Sequence, residues 1–458
     1  MSSKNIVSGY LPDERPPVIS LFFFALQQIV VMFPATVLVA LLTGFHVSTT
    51  IFASGLATLC FILVTGRKIP LYYGSSFSYL AAITSIMGAE AFSTYSLNDK
   101  ISIAQFGIVM SGFVSIFAGI VIKRSGQKMV ERVLPATVTG SIAIIIGLSL
   151  AANAMTNAST APVKIAKESA ELGYNMAWTI AFITLISTIL YSVYLKGKLS
   201  QLPILFGLAT GYIAAVIIGY ITGIPFVSFD TIPMDKILVP PTFTFPKPSW
   251  AAIAAIMPIA IATVPESTAH IFQLHIYVND LAKKKGSKKK YDIEDKLGLN
   301  LVGDGIGDIV SGFIGGPAGT NYGENISAMA LSKNFSVLVL IVAACITMVI
   351  SFFTPLINLV YSIPTAVIGG LSIYLFGVIA AQGVTIMIDK KVDMFQSRNL
   401  AVIAVILIVG LGGSFGFKDG MIPIFGIEFP AIASAAVIGI LLNLLLSFGT
   451  KEEEIEQA

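Results

Sequence analysis

Residues 70–86 read PLYYGSSFSYLAAITSI, and residues 318–332 read AGTNYGENISAMALS. Both stand among long apolar runs, yet neither is a proper span. A helix needs about 20 mostly apolar residues to cross a bilayer, and these segments are too short and too rich in Gly, Ser, Asn and Tyr. Irregular backbone at membrane depth is tolerated only where it lines a cavity or is buried in protein. Each segment carries a related motif, Tyr73-Gly74-Ser75-Ser76-Phe77-Ser78 and Tyr322-Gly323-Glu324-Asn325-Ile326-Ser327. A second echo follows each copy, LPATVTG (134–140) and IPTAVIGG (363–370), with Pro, Val and Gly at equal spacing. Two echoes in one order indicate duplication of a seven-span unit. Seven is odd, so the second copy must enter the membrane from the opposite face. Interrupted spans at matching positions of inverted repeats point to a transport site near the bilayer centre. In this alignment Ser75 is the counterpart of Glu324, so the acidic chemistry belongs to the second repeat.

The rest of the chain fits that frame. Hydrophobic residues make up 55% and charged residues 12% of the 458, whereas soluble domains carry about 25% charged residues. The class is therefore an all-α polytopic membrane protein. Fourteen hydrophobic segments fall at about 17–42, 47–65, 70–86, 101–122, 134–155, 176–195, 202–222, 250–278, 297–315, 318–332, 336–358, 364–386, 399–417 and 425–448. Of 28 Lys and Arg, 22 lie in the connections on the side of the N-terminus, seven of them between Lys283 and Lys296. The positive-inside rule then places both termini in the cytoplasm. The cluster KKKGSKKK (283–290) reads as a topogenic loop, and the tail KEEEIEQA as a solvated end. Met1–Pro17 is polar and the first apolar run is too long for the core of a cleavable signal, so the first span is expected to be retained. Cys60 and Cys345 sit in apolar runs and read as small core residues. Three histidines in the whole chain do not support a metal centre, and no cofactor is indicated.

Three ionisable residues fall where lipid is expected. Glu266 and His270 lie in SWAAIAAIMPIAIATVPESTAHIFQLHIYV (249–278), and Glu324 lies in the second interrupted segment. A charge at the bilayer centre costs roughly 2.5–3.5 kcal/mol on the lenient insertion scales, so such residues mark a polar pathway or site. Glu266 and His270 are four apart, hence on one helical face. Pro265, just before Glu266, removes a backbone donor and is expected to kink the helix. The bland alternative is that Glu266 and His270 satisfy each other in the core. His275 lies one turn on, toward the basic loop, and His46 has no evident partner. Asp304 and Asp308, also four apart, read either as part of a proton or sodium path or as bonds between closely packed Gly-rich helices.

With these residues in view, the chain resembles the nucleobase-ascorbate transporter family, also called nucleobase cation symporter type 2, and within it the bacterial uracil permeases. The resemblance rests on ERPP (14–17), MFPATVLV (32–39), GRKIPLYYGSSFSYL (66–80), SGFIGGPAGTNYGENI (311–326) and the Glu-x3-His pair, and covers essentially the whole chain. It implies fourteen segments in two inverted repeats of seven, with short extended stretches in the third and tenth. It implies a core domain from 17–122 and 250–358, and a gate domain from 134–222 and 364–448 that mediates a homodimer. By the same resemblance Glu266 and Glu324 hydrogen-bond the ring of uracil, and backbone N–H groups at Phe77 and Gly323 meet its carbonyl oxygens. Tyr322 lies alongside, His270 couples to protonation together with Glu266, and Gln28, Asn325 and Asp304 support the site. The family's Gln-His pair is Gln27-Gln28 here, and its signature after the tenth segment is altered at Ser327, Ser332 and Lys333. Asp308 stands where a small or hydroxylic residue is expected.

The implied activity is uracil import across the cytoplasmic membrane by proton symport, with no enzymatic step and no nucleic-acid partner. A carboxylate accepts N–H groups from a planar amide-like ring, and free N–H groups at a helix start donate to its carbonyls. Glu rather than Gln at 324 favours uracil over xanthine or urate. Xanthine or another purine base is the alternative ligand. An anion transporter of the sulfate or bicarbonate type is a further alternative, although two carboxylates disfavour an anion. A membrane hydrolase using Glu266 and His270 would lack a nucleophile or metal set.

Overall fold

The computed structural model describes residues 9–125, 132–162, 170–229, 236–424 and 427–447. The tail KEEEIEQA lies outside these residues, as do Lys4, Lys128, Lys164, Lys167 and Lys451 of the charge pattern. The first half runs α1 (Val18–Thr43), α2 (Val47–Val64), β1 (Tyr73–Ser75), α3 (Leu80–Gly88), α4 (Leu97–Ser125), α5 (Ala136–Ser149), α6 (Ala151–Ser159), α7 (Ala170–Tyr194) and α8 (Pro203–Thr222). The second runs α9 (Trp250–Ile256), α10 (Ile259–Lys284), α11 (Leu297–Ile314), β2 (Gly319–Asn321), α12 (Gly323–Ser332), α13 (Val337–Ile350), α14 (Thr354–Tyr361), α15 (Thr365–Asp389) and α16 (Ser397–Leu407). It closes with α17 (Gly413–Gly416), a hairpin of β3 (Met421–Ile424) and β4 (Ile427–Pro430), and α18 (Ala431–Ser447).

Ten helical stretches among the described residues are long and apolar enough to cross a membrane, and three shorter apolar helices accompany them. Phe23, Phe117, Ile221 and Leu445 stand exposed on these helices. Apolar surface of this extent belongs against lipid. Cys345 shares that position, being exposed, and Cys60 is half-buried, so neither is the core residue expected of it.

The sequence places the short strands correctly and their register wrongly. β1 and β2 pair antiparallel, Tyr73 with Asn321, Gly74 with Thr320 and Ser75 with Gly319. Each strand is followed after one residue by a helical turn, starting at Phe77 in the first half and at Gly323 in the second. Phe77 therefore corresponds to Gly323 and Ser78 to Glu324. The Tyr-Gly echo that pairs Ser75 with Glu324 is out of step by three residues. Backbone geometry sets the correspondence, and three matches over six residues are too few to do so.

Glycines carry the repeat in the packing. On α2, a Cβ at Gly55 would lie 2.6 Å from the carbonyl oxygen of Ala344 and 2.7 Å from Met348 Cγ, both on α13. On α11, a Cβ at Gly305 would lie 2.4 Å from the carbonyl oxygen of Gly112 and 2.7 Å from Ile116 Cγ1, both on α4. The same contact, with the same four-residue spacing in the facing helix, thus joins the two halves twice, the glycine coming once from each. Small residues allow such backbone approach, which is how helices associate where lipid removes the hydrophobic drive. Pro135 and Pro364 from the second sequence echo also sit alike, as the residues before α5 and α15.

Several boundaries differ from the sequence reading, as where the segment expected at 336–358 is broken between Ile350 and Thr354. The span expected at 250–278 divides at Met257-Pro258, and Pro265 lies inside α10 without ending it. A helix start needs no N–H from its first residues, so Pro258 is the natural break. The segment expected from 425 begins as helix only at Ala431, because the hairpin β3–β4 takes up its start. Since only a hydrogen fits at the α4–α11 crossing, Gly305→Ala should destabilise the protein by about 1–3 kcal/mol. Thermal unfolding in detergent measures this, and an unchanged melting temperature would contradict the close-approach account.

Candidate functional site

Three buried residues on each strand make a sheet too small to satisfy itself, and side chains complete it. Tyr73 O accepts from Ser54 Oγ at 2.8 Å and from Thr58 Oγ1 at 3.1 Å, while Tyr73 N donates to the same Thr58 oxygen at 3.1 Å. Asp308 Oδ1 accepts both the Tyr73 hydroxyl, at 2.5 Å, and Gly319 N, at 2.8 Å. The Tyr322 hydroxyl donates to Ser75 O at 2.9 Å and lies 3.0 Å from Thr36 Oγ1. Tyr322 N donates to Tyr72 O, and Ser76 N to Ala318 O, both at 3.0 Å. The rings need space as well. Tyr322 lies against Gly74, where a Cβ would come within 2.4 Å of the ring, and Tyr73 lies against Gly307, where one would come within 2.5 Å.

Asp304, one turn before Asp308 on α11, serves the next layer. It accepts from Ser267 Oγ at 2.7 Å, from Asn321 Nδ2 at 2.6 Å and from Asn300 Nδ2 at 3.2 Å. Both aspartates are thus engaged by backbone, hydroxyl and amide donors and are almost fully buried, 4% and 2% exposed. These bonds are of the kind the second sequence reading expects of them. Asn325 Nδ2 bonds Gln28 Oε1 at 2.8 Å and Gln28 O at 3.0 Å, which ties α12 to α1.

Above this floor the exposure pattern reverses. Asn321, Asn325 and Ile326 are fully buried, and Tyr322 is 4% exposed. Glu324, set among them, is solvent-accessible, and Phe77, Ser78, Glu266, His270 and Gly323 are half-buried. Accessible groups enclosed by a buried layer face an internal space. α10 lays its two ionisable residues along it. Ser78 Oγ donates to Glu266 Oε2 at 3.4 Å, and His270 Nε2 lies against Gly323, where a Cβ would come within 2.9 Å. Glu266 therefore sits at the helical turn that follows β1, and His270 at the start of α12. Among the described residues no hydrogen bond or ion pair joins Glu266 to His270, and His270 Nδ1 makes no hydrogen bond. Glu266 and Glu324 are close enough to repel each other when both are charged.

The start of α12 has no side-chain cap. First-turn N–H groups lack intrahelical partners, so the N–H groups from Gly323 onward are donors available to the internal space. At the other end, Ser76 Oγ accepts from Ser78 N. The structure thus brings together Phe77, Glu266, His270, Gly323 and Glu324 as read from the sequence, adds Ser78, and turns the Tyr322 hydroxyl inward onto the strands. A cavity of about 150 Å3 beside α3, lined by Leu42, Leu80, Thr84, Asn153 and Phe376 among others, contains none of the ionisable residues. Two histidines lie elsewhere. His46 pairs with Asn98 at 2.7 Å, a partner the sequence does not reveal, and His275 lies 3.5 Å from Glu294.

Residues 19–419 match the Xan_ur_permease profile, described as Permease family. The chain belongs to the nucleobase-ascorbate transporter family. It is 34% identical over 443 residues to a uracil permease of Bacillus caldolyticus, covering 95% of this chain and 94% of that one. It is 32% identical over 456 residues to a uracil permease of Bacillus subtilis, covering 99% and 98%. Among solved structures it resembles murine Solute Carrier 26 family member A9, an anion transporter, with a TM-score of 0.60 and 11% identity over 95% of this chain and 69% of that one. That likeness shows the fold. The chain is a multi-pass membrane permease and not an enzyme.

Asp308→Ala would strand the Tyr73 hydroxyl and Gly319 N–H in the core, at about 1–3 kcal/mol for each donor. Asp308→Asn keeps an acceptor oxygen and should cost less. Melting temperatures of the purified variants give the order, and an alanine variant as stable as wild type would remove Asp308 from this role.

Proposed function

We propose that this permease imports uracil into the cell by proton symport, binding the base in the internal space between the strand ends. The observation that carries the reading is Glu324, an accessible carboxylate on a buried floor, with Glu266 facing the same space. Uracil alternates ring N–H donors with carbonyl acceptors. The two carboxylates take its N–H groups, and the N–H groups of Phe77 and Gly323 meet its carbonyl oxygens. Tyr322, Gln28, Asn325 and Asp304 hold the frame. The curated relatives named uracil permease support the choice of base.

Two like charges in one small space disfavour each other, so a proton shared by Glu266 and Glu324 relieves the site and travels with the base. His270, between Glu266 and the start of α12, is the group through which protonation is coupled to binding. One proton entering down a 100 mV potential supplies about 2.3 kcal/mol, enough to concentrate a neutral base several tens-fold.

The transport cycle follows from the proposed domain division. A core of residues 17–122 and 250–358 carries the base past a gate of residues 134–222 and 364–448, within a fourteen-segment chain whose termini face the cytoplasm. The gate also forms a homodimer.

Uptake of labelled uracil into proteoliposomes under an imposed proton gradient tests the whole reading. Accumulation should follow the proton gradient and not a sodium gradient, and excess unlabelled xanthine should compete weakly. No uptake under either gradient would sink it. Glu266→Gln and Glu324→Gln should each weaken uracil binding at least tenfold, about 1.4 kcal/mol. His270→Ala should retain binding while uptake loses its dependence on the proton gradient. Wild-type affinity in both Gln variants would overturn the roles given to the carboxylates.

A further inference from the structure

The segment from Gly9 to Glu14, ahead of α1, is bonded along its length to two separate parts of the protein. Tyr10 N donates to Lys333 O and Phe335 N donates to Tyr10 O, each at 2.8 Å, and Val337 N donates to Pro12 O at 3.1 Å. Ser336 Oγ donates to Glu14 O at 2.6 Å. These bonds bind the segment to the turn between α12 and α13. On the other side, Lys285 Nζ donates to Gly9 O at 2.8 Å and to Glu14 Oε2 at 2.6 Å, and Glu14 Oε2 also accepts Leu11 N at 2.8 Å. Lys289 Nζ pairs with Asp13 Oδ2 at 2.6 Å, and the Tyr291 hydroxyl donates to Asp13 Oδ1. Leu11 is 3% exposed and packs in the apolar core with Leu281, Met329 and Phe335. At Gly9 a Cβ would lie 2.7 Å from Lys333 O, so the close approach admits only glycine.

Lys285 caps the end of α10, and Lys333 caps the end of α12. These two helices carry the ionisable residues of the site, Glu324 in the first turn of α12 and Glu266 and His270 within the first half of α10. Glu266 is about 28 Å up α10 from Lys285, and Glu324 about 14 Å up α12 from Lys333, at 1.5 Å per residue. A segment that joins the far ends of two rods fixes the angle between them. We infer that Gly9–Glu14 is a positioning strap, which holds Glu324 and Gly323 in register with Glu266 and His270. The strap runs directly into α1, which meets the same α12 through Gln28 and Asn325. The lysine-rich loop thereby gains a specific task for Lys285 and Lys289 beyond its charge.

The Asp13 contact of the strap holds at neutral pH. Burial pushes the Asp13 carboxyl up, but the hydrogen bonds from Lys289 and Tyr291 outweigh it and hold the group below its ordinary value. A depressed carboxyl contributes stability above its unfolded pKa and loses it only as pH falls through the lowered one. Salt is the condition that loosens it, since the Asp13–Lys289 pair is about half exposed on both sides and exposed pairs are screened.

The inference rests on the uracil-binding reading for one of its two readouts and is independent of it in the other. Lys285→Met keeps the apolar stem and removes the charge, and Lys285→Arg restores it. For purified protein in detergent, Lys285→Met should raise the uracil Kd of the folded fraction about tenfold, a usual size for coupling between distant positions. Amide hydrogen exchange of α12, measured without uracil, should quicken in the same variant while α5 and α15 are unchanged. Lys285→Arg should return both readouts toward wild type. A lower melting temperature with unchanged Kd and unchanged α12 exchange would overturn the proposal, leaving Lys285 a purely stabilising residue. If the wild type binds no uracil, the functional reading falls and the exchange of α12 alone decides the strap.

Discussion

An extended strand inside a membrane protein must find a partner for every backbone N–H and C=O, and the pairing of β1 with β2 is where that requirement is hardest to meet. Water is absent to repair an unpaired group, and each one left open costs several kcal/mol in a hydrocarbon setting. Two strands of three residues supply a few bonds to each other and leave both outer edges open. Asp308 from α11, Ser54 and Thr58 from α2, and Tyr322 just after β2 close those edges with their side chains. This explains Asp308, whose carboxylate is spent on one hydroxyl and one backbone N–H. It also explains the glycines at 74 and 307, since the tyrosine rings that reach the edges leave no room for a Cβ beside them.

The pairing that closes the sheet also creates the site. Antiparallel strands send their following helices away in opposite directions, so the two helix starts lie at opposite ends of the sheet. The start of α12 has no side-chain cap, whereas Ser76 caps the turn after β1, and the internal space lies between the two starts. The repeat is symmetrical in backbone and asymmetrical in chemistry. Where the second half has Gly323 and Glu324, the first has Phe77 and Ser78, and the serine donates to Glu266 from α10. One half supplies a hydroxyl donor and the other a carboxylate, while a single helix contributes the remaining acid and the imidazole.

The strands and the three ionisable residues are legible in the sequence for the same reason. A Gly-rich break in an apolar run, or a charge within one, is costly in lipid and stands out against a cheap background. Ser78 and Asn321 give no such signal, because uncharged polar residues occur in spans without consequence and only the fold shows that these two reach Glu266 and Asp304. The repeat register is misread because the echo matches only Tyr, Gly and Ser over six residues, whereas Gly55 and Gly305 correspond through the packing they share. Pro265 is a plausible kink by composition and Pro258 is the actual break, a difference fixed by which proline falls at a helix start. Cys345 shows the limit of hydropathy in a membrane protein, since a lipid-facing residue and a core residue sit in equally apolar runs.

The two helix starts sharpen what the proposed reading asks of the carboxylates. Two helix starts facing one space form a positive frame, and by itself such a frame suits an anion. The same N–H groups suit the carbonyl oxygens of a neutral ring, but only if something else accepts that ring's own N–H groups. Glu266 and Glu324 are acceptors of that kind, and they also set negative charge against the positive frame. On the proposed reading, the frame is suited to a neutral base by two acids in one of the two repeats. Protonation then becomes part of recognition, because two carboxylates that repel each other in a small space bind best when they hold one proton between them. A fold this permissive does not set the ligand, which is why the site residues, and not the architecture, carry the functional argument.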